Sequence, residues 1–148
     1  MYRTILVPTD GSDASAAAVD HAVDLADRYD ARIHALYVVD SGSYGVLGES
    51  TPTVVEALHE EGSRAVSAVA EAAADAGVEA DTAVVEGAVH RSILDYAEEA
   101  EADLIVMGTH GRQGIDRYLL GSVTERIVRS SPLPVLTVRS ADDSYGLS

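Results

Sequence analysis

Apolar residues along this chain follow two patterns that alternate with one another. Short runs rich in branched aliphatic residues predict strands covered on both faces, and they lie at 4–8, 33–39, 82–86, 103–109 and 134–138. Alanine-rich stretches between these runs carry apolar residues at helical spacing, and they predict helices at about 12–29, 52–76, 89–101 and from 122 to just before Pro132. Strand and helix therefore alternate along the whole chain.

Residues that favour helix ends support these boundaries. Ser12 and Asp13 suit the N-cap and first turn of the first helix. Pro52 suits the first position of the second helix, and Gly77 suits the left-handed residue that follows its last turn. The backbone preferences of these residues agree with the apolar pattern.

Strict alternation of strand and helix favours right-handed crossovers and a parallel sheet with helices on both faces. We therefore expect an α/β fold: one open, twisted, Rossmann-like sheet of five parallel strands in the order 3-2-1-4-5. The length of 148 residues is sufficient for one such domain. The domain is expected to span residues 1–140, with residues 141–148 as a C-terminal tail.

The charge balance of the chain is strongly acidic. Asp and Glu total 25 against 10 basic residues, all of them arginine, which gives a net charge of −15 and a pI near 4.4. Because acidic residues are spread over every segment, a surface adapted to the salty cytoplasm of a halophilic host is favoured over a docking face for a basic partner. The absence of a basic stripe argues against nucleic acid as a partner.

Two absences limit the chemistry and the location of the protein. No cysteine is present, which excludes disulfides, thiol chemistry and cysteine-ligated metal sites. The N-terminus has no apolar region typical of a signal peptide, and no apolar run approaches the length of a membrane helix. We therefore expect a cytoplasmic protein that does not associate with a membrane.

Ligands of open parallel sheets bind at the carboxyl ends of the strands, at the point where the strand order reverses. In the expected order that point lies between the first and fourth strands. The sequence has its two most unusual loops there, because VPTDGSD ends the first strand and MGTHGRQG ends the fourth. A pocket between these two loops is the expected ligand site.

The segment GTHGRQGIDRYLLGS, residues 108–122, leads into the last predicted helix. First-turn amides have no partner inside a helix and the helix dipole attracts anions, so phosphate is the expected ligand. Gly111 and Gly121 would let main-chain amides approach phosphate, Ser122 would add a hydroxyl, and Arg112 a positive charge. A purely structural interpretation is equally open, since the SVTE that begins at Ser122 fits a capping box that satisfies the same amides.

Four residues of this segment match a known signature. Gly108, Gly111, Gly121 and Ser122 have the spacing G-x2-G-x9-G-(S/T) of the nucleotide-binding branch of the universal stress proteins. ILVPTDGS resembles the end of that family's first strand and YVVD the end of its second, so the resemblance covers essentially residues 1–140. It implies a protein that binds ATP, or another adenine nucleotide such as AMP or cyclic AMP, with Mg²⁺ or Mn²⁺ bridging the phosphates.

The resemblance also implies a role for individual residues. Asp10 would hold the ribose or adenine side of the nucleotide, with Pro8 and Thr9 in the wall of the pocket, although Asp10 also suits a turn or a helix cap. The backbone of Val38 would meet adenine, and Gly108 would lie beside the ribose. The complete expected nucleotide site, which has no catalytic residue and no metal ligand from the protein, is Pro8, Thr9, Asp10, Val38, Met107, Gly108, Gly111, Arg112, Gly121, Ser122, Val123 and Thr124.

Three functions are open at this point. The first is an ATP-binding regulatory protein of the stress response, which is not an enzyme and hydrolyses bound ATP slowly at most. The second is a nucleotide-free protein-interaction module of the same fold. The third is an ATP-using α/β enzyme, since DGSDAS weakly resembles the SGGxDS loop of ATP-pyrophosphatase ligases, although it lacks the glycine pair.

The last predicted strand, PVLTV, has no charged residue and is expected at an edge of the sheet. An apolar edge favours pairing with a strand of another chain. Universal stress proteins form dimers through their final strand, so the resemblance implies a homodimer through this one.

Overall fold

A computed structural model describes residues 2–40, 52–109 and 121–139, with the backbone alone at residues 13, 14, 52 and 53. Within these ranges strands and helices alternate as the sequence predicts. They are β1 Thr4–Pro8, α1 Asp13–Tyr29, β2 Arg32–Asp40, α2 Pro52–Asp75, β3 Ala80–Gly87, α3 Val89–Glu99, β4 Leu104–Gly108, α4 Ser122–Ser130 and β5 Val135–Val138. The predicted tail, residues 141–148, lies outside the described residues, so the domain boundary stays a prediction.

The five strands form one sheet in the order β3-β2-β1-β4-β5, and every neighbouring pair is parallel. The central strand β1 pairs with β2 on one side and β4 on the other, so that Ile5 lies between Ile33 and Leu104. This topology confirms the expected fold, including the reversal of strand order between β1 and β4.

Alternate side chains of the central strands supply two separate cores. Ile5 and Val7 of β1 point toward α1 and α2, where small residues such as Ala22 allow close approach of the helices to the sheet. Leu6 points the other way, toward Ile127 of α4 and the apolar face of α3. Helices therefore cover both faces, as the sequence predicts.

Helix ends largely follow the predicted signals. Ser12 is the N-cap of α1, and its hydroxyl accepts a hydrogen bond from the amide of Ser15 at 3.3 Å. Gly77 has a φ of +75° after α2, the left-handed conformation that glycine adopts without strain. The third helix ends at Glu99 rather than at residue 101, because Glu101 turns the chain into β4 with a φ of +54°. None of the helices within the described ranges is long and apolar enough to span a membrane.

A polar cluster joins α3 to the amino-terminal halves of β2 and β3. His34 Nδ1 lies 3.0 Å from Tyr96 Oη, and His34 Nε2 lies 3.7 Å from Asp81 Oδ2. Burial raises the pKa of Tyr96 above its ordinary value of 10.0, and the negative charges of Asp81 and Glu99 raise it further. The folded chain therefore holds the Tyr96 proton more tightly than the unfolded chain does.

This difference predicts a change in stability at alkaline pH. The stabilisation is complete below pH 10 and is lost as the pH rises through the raised pKa of Tyr96, so the free energy of unfolding falls in that window. We expect Tyr96→Phe to show a shallower fall, measured by denaturant unfolding from about pH 9 to about pH 11.5. The matched control is Tyr29→Phe, at a tyrosine that is 44% exposed. Parallel pH profiles for the wild type and Tyr96→Phe would contradict this prediction.

Candidate functional site

The carboxyl ends of β1 and β4 lie side by side at the centre of the sheet. The register pairs Leu6 with Ile105, and the two strands end at Pro8 and Gly108. The chain continues from β1 to β2 on one side of this junction and from β4 to β5 on the other side, so the strand order reverses here. A crevice at such a reversal is where open α/β sheets bind their ligands.

The loop after β1, residues 9–12, is folded by its own hydrogen bonds. The amide of Thr9 donates to the carbonyl of Leu36 at 2.9 Å, which ties the loop to β2. The carboxylate of Asp10 accepts from the amide of Ser12 at 2.9 Å, and Thr9 Oγ1 accepts from the amide of Gly11 at 3.1 Å. Gly11 has a φ of +79°, a conformation that side-chain-bearing residues rarely adopt. Asp10 is therefore both a turn residue and a partly buried carboxylate at the crevice.

Two hydrogen bonds fasten the start of α4 to the end of β4. The amide of Gly121 donates to the carbonyl of Thr109 at 2.6 Å. The hydroxyl of Thr124, which is only 3% exposed, donates to the carbonyl of Gly108 at 2.9 Å. These bonds hold the first turn of α4 beside the carboxyl end of β4.

The predicted capping box at Ser122 is wrong. Gly121 is the N-cap, with φ −62° and ψ 155°, so Ser122 is already the first helical residue and lies one position too late to cap the helix. The carboxylate of Glu125 contacts the guanidinium of Arg129 one turn further along instead of reaching back to the N-cap. No side chain of the described residues caps this helix.

The first turn of α4 consequently presents open amides. The carbonyl of Gly121 accepts the first helical bond, from the amide of Glu125 at 2.9 Å. The amides of Ser122, Val123 and Thr124 precede that bond, and nothing in the part of the chain that the structure describes accepts from them. These amides and the helix dipole make a positive region at the crevice.

The other expected site residues lie at or near the same place. Pro8, Met107 and Gly108 are buried at the strand ends. The side chain of Met107 belongs to the core under α3 and α4, so only its backbone can contact a ligand. Val38 of β2 packs against the same core. The hydroxyl of Thr124 is already bonded to the carbonyl of Gly108, so only its amide is available to a ligand. Gly111 and Arg112 lie outside the described residues.

Ser15 is a residue of this region that the sequence did not single out. Its side chain is buried, 6% exposed, and its hydroxyl contacts the loop that carries Asp10. In an alanine-rich helix a serine is easily taken for a surface residue. The available signal was its place three residues after the N-cap, where a side chain points back over the preceding loop.

The described residues line an open groove of about 440 Å³ on the opposite face of the sheet from α4. Ala16 and Val19 of α1 form one wall, and Ala65 and Val69 of α2 form the other. The groove reaches the loop after β1, and its described lining does not include the open amides of α4. Within the described ranges, no three His, Asp or Glu side chains come together as a metal site.

Comparisons with known proteins agree with the fold. The model of the universal stress protein family matches residues 1–139. Universal stress protein MJ0531 of Methanocaldococcus jannaschii is 43% identical over 141 residues, which cover 94% of this chain and 83% of that protein. The solved structure of hypothetical protein MJ0577 has a TM-score of 0.84 at 31% identity, covering 93% of this chain and 96% of the other.

A further solved structure shows a universal stress protein in complex with cAMP. It has a TM-score of 0.64 and 29% identity, and the match covers 95% of this chain and 98% of that one. The family match over nearly the whole sequence and the relative at 43% identity both exceed what a shared fold alone would give. This chain belongs to the universal stress protein family.

Proposed function

We propose that this protein is an ATP-binding regulatory protein of the stress response. The observation that carries the proposal is the first turn of α4, whose amides at Ser122, Val123 and Thr124 have no acceptor among the described residues and are fastened beside the end of β4. Such a turn binds an anion without rearrangement. The cAMP bound by a universal stress protein of similar structure supports an adenine nucleotide as the source of that anion.

The nucleoside would lie on the β1 and β2 side of the crevice. Asp10 would accept hydrogen bonds from the ribose or adenine, and the backbone of Val38 would border the base. Pro8, Thr9, Met107 and Gly108 would form the wall, since the structure has these residues at the strand ends. The resemblance adds Gly111 and Arg112 to the phosphate side.

Binding a triphosphate to a chain of charge −15 requires local compensation. The open amides and the dipole of α4 supply part of it. Mg²⁺ or Mn²⁺ bridging the phosphates would supply the rest, with ligands drawn mainly from phosphate oxygens and water, as Mg²⁺ commonly prefers. The nucleotide would act as a bound signal and would be hydrolysed slowly at most.

The protein would act as a homodimer. β5 lies at one edge of the sheet with Leu136 37% exposed and no charge between Val135 and Val138, whereas the opposite edge strand β3 carries exposed Asp81 and Glu86. Charges on an edge prevent pairing, and their absence permits it. The two edges thus favour β5 as the pairing strand.

Nucleotide extraction separates the three candidate functions. We expect the purified protein to release an adenine nucleotide on acid extraction and to bind Mg-ATP in calorimetry at molar KCl. A nucleotide-free interaction module would release none and would bind neither ATP nor adenosine. Fast, product-specific turnover of ATP would instead support an enzyme.

A further inference from the structure

We propose that Ser15 is a positioning residue for nucleotide binding, which fixes the loop of residues 9–12 and thereby the carboxylate of Asp10. The inference rests on the proposed function, because it assigns Asp10 to the nucleoside. It concerns a residue of α1 that would not touch the nucleotide itself.

One buried hydroxyl contacts three of the four loop residues. Ser15 Oγ lies 2.9 Å from the carbonyl of Ser12, 3.1 Å from Thr9 Oγ1 and 3.4 Å from Asp10 Oδ1. The residue is 6% exposed, so water does not compete freely for these partners. The contacts therefore join the loop to the first turn of α1.

The donors and acceptors of these groups form a continuous chain. The amide of Gly11 donates to Thr9 Oγ1, the Thr9 hydroxyl donates to Ser15 Oγ, and the Ser15 proton serves the carbonyl of Ser12 or the carboxylate of Asp10. Every hydroxyl in the chain has one donor and at least one acceptor as a neighbour. Removing the Ser15 hydroxyl interrupts this chain of hydrogen bonds in its middle.

The loop needs such a support because its own backbone is permissive. Gly11, with its φ of +79°, is the residue with the most conformational freedom, and it follows Asp10 directly. The Asx turn to the amide of Ser12 fixes Asp10 Oδ1 within the loop, and the Ser12 cap joins the end of the loop to α1. The hydroxyl of Ser15 adds the contacts that hold Thr9 and Asp10 themselves against α1.

The test compares Ser15→Ala with the wild type in binding ATP and adenosine by calorimetry. Because the loop faces the nucleoside, we expect both ligands to bind about five- to tenfold more weakly, by similar factors. In an Asp10→Ala background, Ser15→Ala should change neither affinity further, since no carboxylate remains to be positioned. Thr9→Val, which breaks the same chain from a partly buried position, should reproduce the loss.

Ser131→Ala is the matched control. Its hydroxyl also makes two hydrogen bonds, both with Leu133, but at the far end of α4 from the loop. We expect this variant to keep the affinities of the wild type. Equal losses in Ser131→Ala and Ser15→Ala, or an equal loss from Ser15→Ala with and without Asp10, would overturn the proposal.

Hydrogen exchange in the ligand-free protein separates this inference from the proposed function. We expect the amides of Gly11 and Ser12 to exchange faster in Ser15→Ala than in the wild type, whether or not a nucleotide binds. A wild type that binds neither ATP nor adenosine would refute the proposed function. Unchanged exchange at these two amides would refute the positioning role of Ser15.

Discussion

Gly121→Val is expected to weaken ATP binding by about a hundredfold or more, while lowering the free energy of unfolding by only about 1 kcal/mol. With φ −62° and ψ 155°, Gly121 has an extended backbone that valine adopts without strain. In the proposed site, glycine would leave space in front of the open amides. A branched side chain at the N-cap would cover the amides of Ser122 and Val123 and prevent their charge-assisted hydrogen bonds to phosphate.

The structure offers a closely matched control for this change. Ala88 is the N-cap of α3 and has the same extended backbone, φ −70° and ψ 130°, again without a side-chain cap. Ala88→Val therefore places the same side chain at the same helix position but after β3, two strands away from β1, and it should leave ATP affinity unchanged.

Calorimetry with ATP and with adenosine in molar KCl separates the contribution of the phosphates to the affinity from that of the nucleoside. Adenosine lacks the phosphates, so its affinity for Gly121→Val should remain within about twofold of that for the wild type. An unchanged ATP affinity would mean that the first turn of α4 does not bind the phosphates. An equal loss of affinity for adenosine and ATP would mean that the substitution disturbs the nucleoside side of the crevice.

The fold could be predicted from the sequence because its signals are local and repeated. Runs of branched aliphatic residues on both faces of β1 and β4 mark buried parallel strands, and small residues such as Ala18 and Ala22 mark the helix that packs closely on them. The alternation of elements and the handedness of crossovers restrict the possible strand orders, and 3-2-1-4-5 was expected because it is a common order among doubly wound sheets. The elements themselves required only the spacing of residues along the chain.

The site was only partly predictable, because its details depend on which groups already have partners. The expected reversal of strand order placed the crevice between β1 and β4, but it did not show that the amide of Gly121 and the hydroxyl of Thr124 hold α4 against β4. The capping box failed for the same reason: the pattern SVTE does not reveal which residue leaves the helical conformation, and here that residue is Gly121. Such assignments depend on contacts between residues that are distant in the sequence.

The two edge strands of the sheet were also only partly predictable. The sequence predicted an uncharged β5 at an edge, and the sheet order confirms its position. The structure was needed to show that β3, at the opposite edge, carries the exposed charges of Asp81 and Glu86, because this depends on the position of β3 in the sheet. Charge at one edge and its absence at the other would restrict pairing to a single strand, so the proposed dimer would be closed and two-fold instead of extending into a fibre.

Leu136→Glu should therefore convert a dimer into a monomer. In a two-fold interface each substitution occurs twice, and it would bury carboxylates with no basic partner in β5, so we expect association to weaken by more than about a hundredfold. Leu136 is 37% exposed and the substitution removes little core, so the variant should remain folded and keep its affinity for ATP. Sedimentation velocity at micromolar protein in molar KCl measures the change.

The control for the edge is Thr82→Glu, which adds the same charge to an exposed position of β3 and should leave the dimer intact. Salt provides an independent check, because two chains of charge −15 repel one another and the Debye length falls from about 10 Å at 0.1 M to about 3 Å at 1 M. Lowering the salt should therefore weaken the wild-type dimer. A wild type that sediments as a monomer at molar salt, or a Leu136→Glu variant that remains a dimer, would exclude β5 as the pairing strand.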